Sequence, residues 1–237
     1  MITLDYGQNM NRFIQYLATF LPIACFALLA HTSVGQSFEG EIIMTTNNPA
    51  LQEESVVRWL TSGGNHKLVL NGTANGVSFS YVVLMFKNDA SVRILTEIGG
   101  TKAMFVTPIS DLKPQVQPLA KAIVTAGEGT STIAGYNCKK YMVESAEGST
   151  SVFVTNQVSL NLNDLPMLIQ KNGIFNTLAA NNITGLPLSI ISRGGDGKVL
   201  FSQTVTSITP GKIPTSEFSY EGYGDGGAIM QQSMEVK

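Results

Sequence analysis

The chain has 237 residues, of which 43% are hydrophobic and 14% are charged, and its formal net charge is −2. This composition is the opposite of that of disordered chains, and it supplies enough apolar material for one well-packed domain. A slightly acidic chain without long basic runs lacks the charge needed to neutralise phosphates, which argues against nucleic-acid binding.

The N-terminal stretch has the pattern of an export signal. Arg12 precedes an apolar run over residues 17–30, which fits a signal-peptide core and is short for a membrane span of about 20 residues. Met10 lies directly before the charged segment, whereas the preceding residues include Asp5, an acid that signal starts usually avoid. Met10 is therefore an alternative initiator, and an uncleaved membrane anchor is the alternative interpretation of the apolar run.

Small side chains mark the expected cleavage site. Ser33 and Gly35 occupy the third and first positions before Gln36, where signal peptidases accept only small groups. We therefore expect cleavage between Gly35 and Gln36. Residues 1–35 are then a signal peptide, and residues 36–237 form a single exported β-rich domain with no transmembrane span.

The cysteines and histidines restrict the available chemistry. Cys25 lies inside the apolar run, whereas a lipid-modified cysteine should close it. Cleavage leaves Cys138 alone, so no intrachain disulfide is expected, and a small buried hydrophobe is a better interpretation of Cys138 than a reactive thiol. Cleavage also removes His31 and leaves only His66, which excludes a histidine-rich metal site. We expect neither a metal nor another cofactor.

The rest of the chain follows the pattern of successive hairpins. Phe38, Ile42 and Met44 alternate with the acids Glu39 and Glu41, as in a half-buried strand. Further strands flank glycine-containing turns, and these pairs cover residues 56–70, 92–107, 136–155 and 188–209. About ten strands joined mostly by tight turns predict a meander-like antiparallel sheet.

One predicted strand is apolar on both faces. In residues 77–87 alternate side chains share one apolar face, but Val82, Leu84 and Phe86 add a second, which needs a cover. Two stretches with helical spacing, residues 116–124 and 165–180, are the expected covers. Asn163 or Asp164 would cap the second helix, Gly173 would kink it, and Asn181 and Asn182 would end it.

No catalytic motif is present. A nucleophilic triad would have to use His66, which lies at the mouth of a predicted hairpin. Glu39 and Glu41 could serve as a glycosidase pair, but outward acids on a strand are usually a solvated face. The glycine-rich segments 194–197 and 224–227 each offer one carboxylate, so turns are favoured over calcium loops. We therefore do not expect an enzyme.

A resemblance to a known family rests on several segments. Residues 130–141, Thr-Ser-Thr-Ile-Ala-Gly-Tyr-Asn-Cys-Lys-Lys-Tyr, resemble the signature of a family of exported bacterial proteins known only as a domain of unknown function. Residues 38–42, 183–188 and 213–218 resemble other elements of that family, in the same order. The family is similar in fold to periplasmic lipoprotein carriers. This implies a mainly β, curved antiparallel half-barrel with a few short helices on its concave face.

The leading functional hypothesis is a non-enzymatic binding or carrier module for an apolar ligand, such as a lipid or acyl chain, held between sheet and helices. The resemblance implies that it acts in the periplasm or on the outer surface of a Gram-negative bacterium. The predicted ligand-binding residues are Trp59, Val83, Met85, Met104, Phe175 and Leu178. The alternative is a structural or interaction domain of the cell envelope that binds another protein and no small molecule.

Overall fold

The computed structural model describes residues 38–49, 53–74, 76–98, 100–111, 122–146, 148–159 and 173–235. The strands in this part of the chain are β1 Gly40–Asn48, β2 Glu53–Ser62, β3 Asn65–Ala74, β4 Val77–Met85, β5 Ser91–Ile98, β6 Thr101–Pro108, β7 Ile123–Ile133, β8 Tyr136–Ser145, β9 Gly148–Thr155, β10 Leu186–Gly194, β11 Val199–Pro210 and β12 Gly224–Asp225. The helices are α1 Gly173–Ala180 and α2 Gly226–Glu235, with short 3₁₀ helices at Ile109–Asp111 and Thr215–Phe218.

The described strands form one curved sheet that does not close, with β12 and β7 at its edges. Their order is β12-β6-β5-β4-β3-β2-β1-β11-β10-β9-β8-β7. Pairing is antiparallel except between the two-residue β12 and β6. The prediction of a mainly β, curved antiparallel sheet with short helices is therefore confirmed.

The predicted hairpins are confirmed. Gly63 and Gly64 join β2 to β3 with φ angles of +59° and +82°, a backbone conformation that side chains disfavour. Residue-by-residue pairing continues from Ser62 opposite Asn65 to Glu53 opposite Ala74. The long β2–β3 pair therefore presents two well-defined faces.

We call the face that carries the main hydrophobic cluster the inner face. Directly opposed residues point to the same side of a sheet. Ile42, Trp59, Leu68, Val83 and Ile94 oppose one another from β1 to β5 and are at most 5% exposed. This row is the centre of the main hydrophobic cluster of the protein.

The opposite, outer face carries a row in which apolar and charged residues alternate, and we call it the outer row. Leu60, Lys67, Leu84 and Arg93 oppose one another from β2 to β5. Leu60 and Leu84 are 1% and 0% exposed, so this row is covered as well. The expectation that the second apolar face of β4 needs a cover is therefore confirmed.

A C-terminal segment, residues 214–223, lies over the outer row, and we call it the strap. Its 3₁₀ helix packs against β3, and Lys67 Nζ donates to Glu217 Oε2 at 2.9 Å. The Arg93 guanidinium lies over the rings of Phe86 and Tyr220, 5.1 and 5.0 Å from their centroids. The strap thus contacts the second apolar face, a cover that the sequence did not predict.

The helix predicted over residues 116–124 is wrong where the structure describes it. Ile123 and Val124 begin strand β7, and Gly127 lies within that strand at an irregularity in its pairing with β8. Residues 112–121 lie outside the described part. As an edge strand, β7 is largely exposed and lacks the apolar alternation that would have identified it.

The second predicted helix is confirmed over its described half. The described part of helix α1 covers Gly173–Ala180, and the helix ends before Asn181 and Asn182, as expected. Its Leu178 packs on the inner face, with β8 to β10, in a second hydrophobic cluster that includes Val152 and Ile190. Residues 160–172 lie outside the described part, as do the predicted signal peptide and the predicted cleavage site at Gly35 and Gln36. Neither α1 nor α2 is long and apolar enough to cross a bilayer.

Candidate functional site

A band of buried polar side chains crosses the inner face, and we call it the polar belt. Gln203, Thr46 and Ser55 oppose one another across β11, β1 and β2, and Asn48 opposes Glu53 in the next row. Glu53 is 3% exposed and Gln203 is 2% exposed. Thr46 Oγ1 and Ser55 Oγ share a hydrogen bond of 2.5 Å. The belt therefore consists of polar groups withdrawn from water.

Two acceptors of the belt have no hydrogen-bond partner. These are Asn48 Oδ1 and Glu53 Oε2, and both atoms are buried. Leaving a buried polar atom unpaired costs about 1–3 kcal/mol, so folded proteins rarely keep such atoms without a reason. Burial also raises the pKa of Glu53 from 4.5 to about 7, because the charged carboxylate is poorly solvated there.

Apolar side chains lie on both sides of the belt. Met44 and Val57, two residues along their strands from Thr46 and Ser55, belong to the main cluster. On the other side Ile190, opposite Gln203, belongs to the second cluster with Leu178 of α1. A few polar groups between apolar walls are the common composition of sites that bind small molecules.

The structure gathers only some of the predicted ligand-binding residues. Trp59, Val83 and Met85 are at most 1% exposed and lie in the main cluster on the inner face. Leu178 lies in the second cluster, on α1. Met104 opposes Leu95, so its half-buried side chain lies on the outer face, away from the others. Phe175 belongs to α1, and its side chain lies outside the described part.

His66 lies at the mouth of the β2–β3 hairpin, as predicted, and its side chain faces inward. It is 2% exposed, and Trp59 Nε1 donates to its Nδ1 at 3.3 Å. Their ring centroids are 5.8 Å apart. The imidazole therefore orients the indole of Trp59 at one end of the apolar inner face, on the side away from the polar belt.

The acids considered for glycosidase chemistry have structural partners. Glu41 lies on the outer face and forms an ion pair with Arg58. Glu39 Oε1 accepts a hydrogen bond from the Gly63 amide at 2.9 Å. Trp59, which could stack a sugar, lies on the opposite face. These contacts agree with the interpretation of Glu39 and Glu41 as part of a solvated face.

The glycine-rich segments are also structural. Asp196 accepts hydrogen bonds from Lys198 within a β-turn. Asp225 Oδ1 accepts from the Ala228 amide at 2.9 Å and so caps helix α2. In the described part of the chain no three potential metal-ligating side chains come together. Cys138 is 1% exposed, as expected for a small buried hydrophobe, and burial raises the pKa of its thiol.

The outer face carries an open hollow of about 510 Å³ behind the polar belt. Thr45, Asn47, Glu54, Asn71 and Thr204 are among its lining residues. Several of these groups already pair within the sheet, as Asn47 Nδ2 does with Glu54 Oε1 at 3.2 Å. Such mutual pairing is typical of a solvated sheet surface.

The polar belt was not predicted, although the sequence carries a signal for it. Glu53 and Ser55 precede Val57 and Trp59 at intervals of two, so alternation places all four side chains on one face. Two polar residues in phase with a buried face are the pattern that identifies such a belt. Gln203 gave the same signal on β11, because it shares the phase of Phe201 and Val205 at intervals of two.

The structure defines a class of protein that has an open β sheet, a few short helices and a partly polar inner face. Residues 38–221 match the family described as "Domain of unknown function (DUF4412)". The chain belongs to this family, which confirms the family resemblance suggested by residues 130–141. No curated protein matches the sequence.

Several solved structures are similar in fold at low identity. The MucA/MucB complex of Pseudomonas aeruginosa contains a chain with 13% identity and a TM-score of 0.43, covering 86% of this chain and 59% of that one. An uncharacterized conserved protein from Thermus thermophilus has 9% identity and a TM-score of 0.45, covering 89% of this chain and 97% of that one. PNGF-II has 16% identity and a TM-score of 0.39, covering 85% and 33%.

Proposed function

We propose that this protein is a non-enzymatic binding or carrier module that holds an apolar ligand, such as a lipid or acyl chain, against its inner face. The observation that carries the proposal is the pair of unpartnered buried acceptors, Asn48 Oδ1 and Glu53 Oε2, between two apolar clusters. A ligand that satisfied these acceptors and contacted the apolar walls would explain both features. The predicted signal peptide and the family resemblance support a location in the periplasm or on the outer surface of a Gram-negative bacterium.

Trp59 offers a direct test, because it is the only tryptophan of the chain and lies on the inner face. A brominated fatty acid or fatty alcohol quenches indole fluorescence only at short range. We expect saturable quenching of Trp59 that reaches a plateau near one ligand per protein. Lipid extracted from protein purified from its own host should show the natural ligand by mass spectrometry.

A matched variant separates specific from surface binding. In the double variant Trp59→Phe and Met104→Trp, the reporter moves to the outer face. We expect this reporter to escape quenching at probe concentrations that saturate the wild type. Equal quenching of both reporters, or no quenching of Trp59, would contradict the proposal.

A second candidate function, protein interaction in the cell envelope, has its own support in strand β7. This 11-residue strand pairs with β8 on one side and forms one edge of the described sheet. Its first residue, Ile123, is 63% exposed. Exposed edges of this kind accept strands from partner proteins. Binding of a partner strand should slow hydrogen exchange at alternate amides of β7, whereas an inner-face ligand should leave them unchanged.

A further inference from the structure

We infer that Asn48 and Glu53 form a subsite for a positively charged head group rich in hydrogen-bond donors, so that the ligand of the inner face is an amphiphilic amine. This inference rests on the proposed function and adds the chemical class of the ligand. Three features support it: the geometry of the two residues, the absence of a partner charge beside Glu53, and the apolar side chains that follow them along the inner face.

The two side chains are directly opposed. Asn48 on β1 and Glu53 on β2 are register partners on the inner face, which places their Cβ atoms about 5 Å apart. The unpartnered atoms, an amide oxygen and a carboxyl oxygen, both accept hydrogen bonds. An ammonium group carries three donors and can satisfy both atoms at once. Beside the ionised carboxylate of Glu53, a ligand carboxylate or phosphodiester brings only acceptors and would leave both atoms unpaired.

The charge of Glu53 has no counterpart at this position. Its register partners in the described sheet are Asn48 and Ala74, and Ser55 follows it on the same face of β2; none of these residues is charged. Burial is the only cause of its raised pKa, which agrees with this neutral surrounding. The adjacent acid, Glu54, faces the opposite side and pairs with Asn47. A buried carboxylate without a cation is costly, so a cationic ligand is the complementary partner.

Buried apolar side chains continue along the inner face from these two residues. Val57 and Trp59 follow Glu53 along the same side of β2, and Met44 and Ile42 accompany them on β1. Trp59 lies six positions beyond Glu53 on β2, a distance of about 20 Å. A long extended alkyl chain has that length, and to end at the indole it must displace the side chains that now bury this row.

Three probes with one chain length test the head group. Dodecylamine, dodecanol and dodecanoate compete with a brominated fatty alcohol for quenching of Trp59 at pH 8. We expect dodecylamine to bind about tenfold more tightly than the other two, as a charge-assisted hydrogen bond predicts. Glu53→Gln should remove this preference and leave dodecanol affinity within about twofold of wild type. Asn48→Ala should weaken dodecylamine binding severalfold.

Glu54→Gln is the matched control, because it makes the same change one residue away on the outer face. It should leave the affinities for all three probes unchanged.

The pH profile of dodecylamine binding tests the same subsite without a variant. Between pH 6 and pH 8 Glu53 loses its proton while the amine stays charged, so dodecylamine should bind up to about tenfold more tightly at the higher pH. In Glu53→Gln that dependence should vanish.

The outcomes separate this inference from the proposed function. Equal affinities for dodecylamine and dodecanol, or a preference that survives Glu53→Gln in a folded protein, would overturn the amine subsite and leave the apolar site intact. Failure of all three probes to protect Trp59 would overturn both. Far-ultraviolet circular dichroism of each variant reports whether it is folded, and the wild-type pH profile decides the matter if Glu53→Gln is not.

Discussion

Glu53 links a single buried side chain to the pH dependence of the whole domain. Its pKa of about 7 in the folded protein exceeds its ordinary value of 4.5, so the folded state binds the proton more tightly than the unfolded state. Stability contributed by this group is then complete below pH 4.5 and is lost as the pH rises through 7. The loss amounts to at most about 3 kcal/mol above pH 8.

Glu53→Gln removes that titration. We expect the variant and the wild type to have similar free energies of unfolding near pH 5, and the variant to become more stable as the pH increases to 8. Urea denaturation at four pH values measures the difference, and Glu54→Gln serves as the control, with no pH-dependent gain. A constant difference between Glu53→Gln and wild type at all pH values would contradict the argument.

Gly226 shows a second effect at the scale of a residue, because the ring of Phe105 leaves no room for a side chain at this position. A Cβ atom on Gly226 would lie 2.6 Å from Cζ of Phe105, whereas a Cβ on the adjacent Gly227 would meet only Asp225 Oδ1 at 3.2 Å. We expect Gly226→Ala to destabilise the protein by about 1–3 kcal/mol, because the ring must move. Gly227→Ala, in the first turn of α2, should be neutral or slightly stabilising. Thermal unfolding of the two variants measures the contrast, and equal effects would exclude the packing explanation.

Among the elements, the strap holds the outer face by apolar packing more than by charge. Phe218 is 6% exposed, in the 3₁₀ helix that packs against β3. Phe218→Ala should therefore lower the free energy of unfolding by about 3 kcal/mol. Glu217→Gln breaks the ion pair with Lys67 but should change stability by less than about 1 kcal/mol, since that pair is partly exposed. Urea denaturation distinguishes the two, and a larger effect of Glu217→Gln would show that charge dominates.

The hairpins could be predicted from sequence because their signals are local. Gly63 and Gly64 adopt the left-handed conformations that tight turns need, and alternating apolar residues mark the strands on either side. Strand β7 could not be predicted in this way. It is an edge strand whose long polar stretch packs against little, and its Ile123 and Val124 happen to continue a helical spacing from residues 116–120.

The polar belt could be predicted from the sequence only in part. Alternation along β2 assigns Glu53 to the face of Trp59, but only the folded sheet shows that this position is buried and that Asn48 lies opposite. The sequence predicted that the second apolar face needs a cover, but it did not identify the strap as one. The strap comes from residues far beyond β4 in the chain, and no local pattern reports such a long-range contact.

At the scale of the whole molecule, the core includes Phe38, which lies close to the predicted cleavage site. The Phe38 amide donates to Ser159 O at 2.7 Å, and its ring packs against the main cluster. Cleavage between Gly35 and Gln36 would leave two residues before Phe38. A peptidase needs an extended, accessible chain at the bond it cuts, so processing should precede the docking of Phe38.

We therefore expect protein recovered from the cell envelope to begin at Gln36, which intact-mass measurement and N-terminal sequencing can establish. Gly35→Arg places a large charged side chain directly before the scissile bond, and the uncleaved precursor should accumulate. Gln36→Arg, on the other side of the same bond, is the matched control and should still be processed. An intact apolar segment 17–30 in the wild-type protein would replace the exported, processed domain with one anchored through its N-terminus. The inner face would then act beside a membrane surface instead of on a freely diffusing carrier.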